Sequence, residues 1–250
     1  PSKYYGANAG SRYDHSVGVM LLLRKVGANV EEQAAGLLHD ASHTAFSHVA
    51  DWVFGHQEKE DFQDSNHEKY LASSDAAEIL RDNEFDFAKI VDCHHFSLLE
   101  QDAPQICADR VDYTLRELLV GFGRLTLRVA ACAQSVISLD GKMCFDNLMC
   151  ANYFGRGYVT CQDEHWGCES KTVRYAVFAD ILKRAIQRDI LRVDDFWFDD
   201  TYCLDKVLNS GSRDLRDGLS LLEGEVSYEL VSDSEADESR CSCRAGDGKP

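Results

Sequence analysis

Three histidines and two aspartates lie within thirteen residues, from His39 to Asp51. The first pair, His39 and Asp40, follows directly on the apolar run 34–38. Imidazole and carboxylate groups that are buried in such a context need polar or charged partners. A divalent cation can serve as the partner of both groups at once. This stretch therefore predicts a metal centre.

The spacing within this stretch is compatible with a shared site. If the segment is helical, His39 and His43 lie on one face at i, i+4, and Asp40 and His43 are i, i+3 neighbours. A His-Asp pair alone is weak evidence, because a core histidine bonded to a backbone carbonyl explains most such pairs. The prediction depends on further ligands elsewhere in the chain.

Two other predicted helices each carry one candidate ligand at an apolar edge. His15 stands in the first turns of an apolar helix predicted over residues 13–26, and Asp109 opens an amphipathic helix predicted over 109–119. Two histidine nitrogens and two carboxylates suit Mn, Fe, Zn, Co or Ni. Four protein ligands leave positions in an octahedral shell open for water and substrate.

These motifs resemble the HD-domain metal-dependent phosphohydrolases, and most closely their deoxynucleoside triphosphate triphosphohydrolase branch. The resemblance rests on residues 12–19, 39–48 and 109–113, covers about 3–120 strongly and extends loosely to 208. It implies a mostly α-helical HD-domain fold, one divalent transition metal per chain and hydrolysis of deoxynucleoside tri- or monophosphates. The metal ligands that it implies are His15, His39, Asp40 and Asp109.

The resemblance also implies roles for residues around the metal. His43 would sit over the substrate phosphates, and Arg12 would contact a phosphate. His67 would protonate the leaving group or deprotonate the attacking water, with Asp51 or Glu68 orienting its ring. Tyr113 would line the substrate pocket.

A second metal site stays open at this stage. His94 and His95, together with His67, would extend the ligand set to a pattern that resembles two-metal HD enzymes, either cyclic-nucleotide phosphodiesterases or di-iron oxygenases. The fourteen residues from His95 to Asp109 are few for those branches. The His-His pair could instead cap a helix end. A catalytically silent nucleotide-binding module is the third alternative, and the intact set of four ligand positions speaks against it.

The composition limits the possible fold classes and the possible partners. Only three prolines among 250 residues, with long apolar-periodic stretches, indicate a mostly helical chain, and Asp140-Gly141 marks one short β-hairpin. A net charge of −17 argues against duplex nucleic acid as a partner but permits nucleotides. The sequence has no run of eighteen apolar residues, so no membrane span is predicted.

Ten cysteines without a Cys-x2-Cys pair indicate free thiols in a reducing, cytoplasmic compartment. The expected organisation is an HD metal-binding core over 1–125 and a C-terminal extension over 126–223. The extension would carry the hairpin and a small helical lobe packed on the core. An acidic tail over 224–250 is expected to be disordered. The resembling enzymes often form dimers or higher oligomers, so a homo-oligomer is an open expectation.

Overall fold

The computed structural model describes residues 4–5, 10–226 and 228. The fold is mostly α-helical with one two-stranded antiparallel sheet, which confirms the expected fold class. In chain order the elements are α1 (Arg12–Lys25), α2 (Val30–Leu38), α3 (Val49–Phe54), α4 (Phe62–Ala72), α5 (Asp75–Asp82), α6 (Phe87–Val91), α7 (Ala108–Arg116), α8 (Thr126–Ser135), β1 (Val136–Leu139), β2 (Lys142–Phe145), α9 (Leu148–Cys161), α10 (Glu169–Gln187), α11 (Asp200–Asn209) and α12 (Arg213–Leu221). Within the described part of the chain, none of these helices combines the length and apolar character that crossing a bilayer requires.

Contacts divide the chain into two compact units. The first unit comprises residues 8–42 and 64–163, and the second comprises the residues up to 7, 43–63 and those from 164 onward. This division differs from the expected boundary at 125. The hairpin, α8 and α9 belong with α1 and α7, because α9 packs on α7. Of the expected tail only 224–226 and 228 are described, so its disorder lies outside the described residues.

The first unit is built on a close approach of α1 and α2. Ser11 caps α1 by accepting from the Asp14 amide, and Asn29 caps α2 by accepting from the Glu32 amide. A Cβ at Gly36 of α2 would lie 2.4 Å from Cδ1 of the fully buried Leu23 on α1. Glycine at this position therefore lets the two helices approach.

The stretch after α2 is not the helix on which the spacing argument was based. The helix ends at Leu38, and Phe46 and Ser47 have positive φ values of 67° and 50°. Distant residues accept the backbone hydrogen bonds there. The Phe46 amide donates to Asp200 at 2.8 Å, and the Ala45 amide donates to the Phe196 carbonyl at 2.8 Å. The condition under which His39 and His43 would be helical i, i+4 neighbours is therefore not met.

The second unit has an aromatic core. Phe178 of α10 lies at its centre, with its ring 4.9 Å from that of Phe46 and stacked 6.0 Å from that of Tyr5. In the first unit, β1 and β2 pair around Asp140 and Gly141, whose φ values of 50° and 73° are those of the expected tight turn. The hairpin prediction is confirmed.

Candidate metal centre

Three ligand atoms from three segments of the first unit converge. Nε2 of His15 on α1 lies 3.3 Å from Nε2 of His39, which follows α2. Oδ1 of Asp109 on α7 lies 2.9 Å from the His15 atom and 3.4 Å from the His39 atom. Two ligand atoms that are each about 2.1 Å from one ion, at right angles, are about 3 Å apart. These separations therefore fit a single bound ion.

Asp40 lies beside this group. Its carboxylate oxygens are 3.5 Å from Nε2 of His15 and 3.6 Å from Nε2 of His39. Arg12 donates to Oδ2 of Asp40 at 2.7 Å, so the guanidinium and the candidate ligand form an ion pair. The structure thus brings together all four residues for which the sequence predicted metal ligation, with Arg12 at their edge.

The charges of these side chains also fit a cation. Burial alone would lower the pKa of His15, but its contacts with Asp109 and Asp112 raise it to about 9. Burial alone would raise the pKa of Asp109, but hydrogen bonds from His15 and His39 lower it to about 2. The carboxylates therefore hold positive charge at the imidazoles when no ion is present. A divalent ion held by these residues would take the place of that positive charge.

The outer nitrogens of both histidines have acceptors that set the ring tautomers. Nδ1 of His15 lies 2.8 Å from Oδ2 of Asp112, and Nδ1 of His39 lies 2.8 Å from the Gly36 carbonyl. With Nδ1 donating in each ring, the lone pair of Nε2 points to the site, as in carboxylate–histidine–metal arrangements. Asp112 also accepts from Arg116 one turn further along α7.

Asp112 is a residue of the candidate site that the sequence reasoning missed. Its carboxylate contacts both His15 and Arg116. The available signal was spacing, because Asp109 and Asp112 are i, i+3 neighbours and share one face of α7. Gly18 leaves room for this carboxylate, since a Cβ there would lie only 2.0 Å from Oδ1 of Asp112.

His67 of α4 is buried in the same unit, with a partner that the sequence did not predict. Its Nδ1 lies 2.8 Å from Oγ of Ser42, and its Nε2 is buried without a hydrogen-bond partner among the described residues. Burial, together with the charge at His39, lowers the pKa of His67. Asp51, expected to orient this ring, accepts from the Phe62 amide at 3.0 Å, and its Oδ2 lies 3.2 Å from Nδ1 of His48.

The other candidates have the following surroundings. His43 belongs to the second unit, where its ring lies 5.3 Å from that of His48. Tyr113 is partly buried on α7, and burial raises the pKa of its hydroxyl, which keeps it neutral. His94 and His95 are exposed on a 3₁₀ turn.

One other group of ligand atoms occurs in the described ranges of the chain, formed by Glu100, Cys107 and Asp109. Burial and the charge of Asp109 raise the pKa of Glu100 to about 7. Neither group of ligand atoms includes His94 or His95. The structure therefore does not gather these two histidines with His67 into a second cluster.

Comparison with known proteins agrees with this site. The family model of the HD domain matches residues 12–117, a range that contains all four candidate ligands. The chain belongs to the HD-domain superfamily of metal-dependent phosphohydrolases. Membership in this superfamily implies that a divalent metal is bound.

Two curated relatives are similar in sequence. The chain is 33% identical over 229 residues to the uncharacterized protein YdhJ of Bacillus subtilis, covering 88% of this chain and 70% of YdhJ. It is 38% identical over 128 residues to the metal-dependent phosphohydrolase cns2 of Cordyceps militaris, covering 51% of this chain and 36% of cns2. The chain thus spans about a third of the length of cns2.

Two solved structures share the fold. A hypothetical protein from Aquifex aeolicus superposes with a TM-score of 0.59 at 15% identity, covering 84% of this chain and 62% of that one. A phosphohydrolase from Bacteroides thetaiotaomicron gives a TM-score of 0.52 at 18% identity, covering 88% and 66%. At these identities the likeness shows the fold alone.

Proposed function

We propose that this chain hydrolyses nucleotides, with deoxynucleoside tri- or monophosphates as substrates and one divalent transition metal per chain. The candidate ions are Mn, Fe, Zn, Co and Ni, which accept mixed imidazole and carboxylate ligands. The observation that carries the proposal is the convergence of His15, His39 and Asp109 within 3.4 Å of one another, with Asp40 beside them. The name of cns2 as a metal-dependent phosphohydrolase supports the same reaction class.

The chain's own residues have distinct tasks in this proposal. His15, His39, Asp40 and Asp109 would hold the ion, which supplies Lewis acidity for activating a water and neutralises charge on a phosphate. Asp112 keeps the His15 ring in its ligating tautomer. The guanidinium of Arg12 is 41% exposed at the edge of the site, so it can turn from Asp40 to a phosphate oxygen.

Other roles rest on the resemblance of the motifs. His43 is proposed to contact the substrate phosphates, Tyr113 to line the pocket, and Asp51 to orient the catalytic histidine. A cytoplasmic location fits the cysteines, because all eight that the structure describes are free thiols. A homo-oligomer is likewise proposed from the resemblance of the motifs.

The test combines metal analysis with product analysis. Metal content per chain is measured, and phosphate and triphosphate release are followed over a panel of nucleoside mono- and triphosphates with Mn. One metal and triphosphate release from deoxynucleotides is the expected result, whereas one metal with orthophosphate from monophosphates would make the chain a nucleotidase. Two irons without hydrolysis would indicate an oxygenase, and no metal would leave a binding module.

Matched variants connect the result to the site. Asp109→Asn should lose both the metal and hydrolysis, whereas Asp102→Asn, at an exposed position in the loop before α7, should change neither. His39→Ala is compared in the same way with His95→Ala, at an exposed histidine. A loss of metal in His95→Ala would instead support the second metal site that the sequence left open.

A further inference from the structure

The inference concerns His67 and the buried nitrogen that it keeps without a partner. The residue is only 6% exposed, and Nε2 has no hydrogen-bond partner in the described ranges. Leaving a buried polar group unsatisfied is energetically costly. Native structures retain few such groups, and those that remain call for a specific explanation. A ligand that completes this hydrogen bond is such an explanation.

The other nitrogen of the ring determines what Nε2 can offer. Oγ of Ser42 lies 2.8 Å from Nδ1 of His67, and Ser42 is fully buried. Its hydroxyl has no second partner among the residues that the structure describes. If Nδ1 donated to Oγ, the hydroxyl hydrogen would be buried without an acceptor. The arrangement that satisfies both groups has the Ser42 hydroxyl donating to Nδ1.

This direction of donation fixes the tautomer of a neutral ring. Nδ1 then carries the lone pair, and the hydrogen is on Nε2. A nitrogen that carries a hydrogen can neither ligate a metal nor accept a proton from water. It can only donate a hydrogen bond.

We propose that Ser42 is a positioning residue that holds His67 in the Nε2–H tautomer, so that Nε2 donates a hydrogen bond to an oxygen of a bound phosphate. The choice of a phosphate oxygen rests on the proposed function. The role of Ser42 rests on the geometry around Nδ1. In this role His67 stabilises negative charge on the substrate and replaces the acid or base role that the sequence implied.

The direct test is the tautomer of His67 in the full chain. Histidine-selective ¹⁵N labelling and long-range ¹H–¹⁵N correlation distinguish a protonated ring nitrogen from an unprotonated one, with and without Zn, which is diamagnetic. His67→Gln identifies the signals by removing one set. We expect an unprotonated Nδ1 and a protonated Nε2 in the wild type. A protonated Nδ1 with an unprotonated Nε2 would overturn the proposal.

Two serine variants separate positioning from packing. Ser42→Ala should turn the single tautomer of His67 into a mixture. Ser135→Ala removes another buried hydroxyl of the same unit, one that bonds a backbone carbonyl, and should leave the His67 signals unchanged. A single Nε2–H tautomer that persists in Ser42→Ala would show that Ser42 does not set it.

The ligand is tested with inorganic phosphate as the probe. Added to the Zn-loaded chain, phosphate should move the Nε2–H signal of the wild type and of Ser135→Ala. No movement of that signal would refute the donation to phosphate. In turnover assays, Ser42→Ala should lower kcat/KM by about three- to tenfold, the effect of one net hydrogen bond, with Zn affinity unchanged.

The outcomes for this inference and for the proposed function are distinguishable. A chain that hydrolyses nucleotides but shows the Nδ1–H tautomer refutes the inference and leaves the function standing. A chain with the Nε2–H tautomer, dependent on Ser42, that hydrolyses no phosphate ester refutes the function and retains the positioning role.

Discussion

Gly18→Ala tests whether the contact between Asp112 and His15 supports metal binding. Gly18 lies on α1, one turn after His15, and the added Cβ would lie 2.0 Å from Oδ1 of Asp112 and 2.5 Å from Nη2 of Arg116. Non-bonded heavy atoms do not approach so closely, so the Asp112 carboxylate must move. We expect it to leave Nδ1 of His15, which lies 2.8 Å away in the native structure.

The size of the effect follows from the role of Asp112. Loss of the partner of a metal-binding histidine typically reduces metal affinity about 10- to 100-fold, which corresponds to about 1.4–2.7 kcal/mol. Alanine also favours the helix over glycine by about 1 kcal/mol. This gain opposes the local strain, so thermal stability alone would hide the change. Metal affinity is therefore the informative quantity.

The assay is isothermal titration calorimetry of the full chain with Zn and with Mn. Asp112→Asn should reproduce the loss of affinity without any steric change. The matched control is Gly155→Ala in α9, where an added Cβ meets nothing within 4 Å, and it should bind metal as the wild type does. Wild-type affinity in Gly18→Ala would refute the role assigned to Asp112.

Three further predictions concern stability and thiol chemistry. Phe178→Ala should reduce the free energy of unfolding in urea by about 3–5 kcal/mol, because the ring is fully buried among aromatic neighbours; a loss below 1 kcal/mol would contradict a central place in the core. Burial would raise the pKa of Asp195, but the hydrogen bonds from Lys206 and the Arg192 amide lower it. The stability that this carboxylate gives to the folded chain is therefore present above about pH 4 and is lost as the pH falls through the lowered pKa. The deficit of Asp195→Asn in urea unfolding should therefore be full at neutral pH and shrink in acid, whereas a constant deficit would exclude this ion pair as its cause. Burial raises the pKa of Cys107 and of Cys203 to about 12, so both thiols should resist a disulfide reagent until urea unfolds the chain, as mass spectrometry of the labelled peptides would show.

The metal ligands could be predicted from the sequence because each stands out from its own local pattern. His15 and Asp109 interrupt apolar or amphipathic helices, and the pair His39-Asp40 follows an apolar run. The turn at Asp140 was equally local, because the residues themselves require its positive φ angles. Such features depend on neighbours in the chain, which the sequence displays.

The partners of these residues could not be predicted in the same way. The contact of Ser42 with His67 joins residues 25 positions apart, and that of His15 with Asp112 joins residues 97 positions apart. The turns at Phe46 have the same origin, because Asp200 binds its amide from 154 positions away. Only the folded chain shows which distant group satisfies a buried polar atom.

Asp109 and Asp112 lie three residues apart on α7, so the position of this one helix determines the position of both carboxylates. Any rotation or shift of α7 moves an ion-binding oxygen and the carboxylate that aims His15 by the same amount and in the same sense. A displacement of one carboxylate is thus not compensated by the other. A substitution that shifts α7 should therefore affect both aspartates together, whereas His39 and Asp40 follow a different helix, α2.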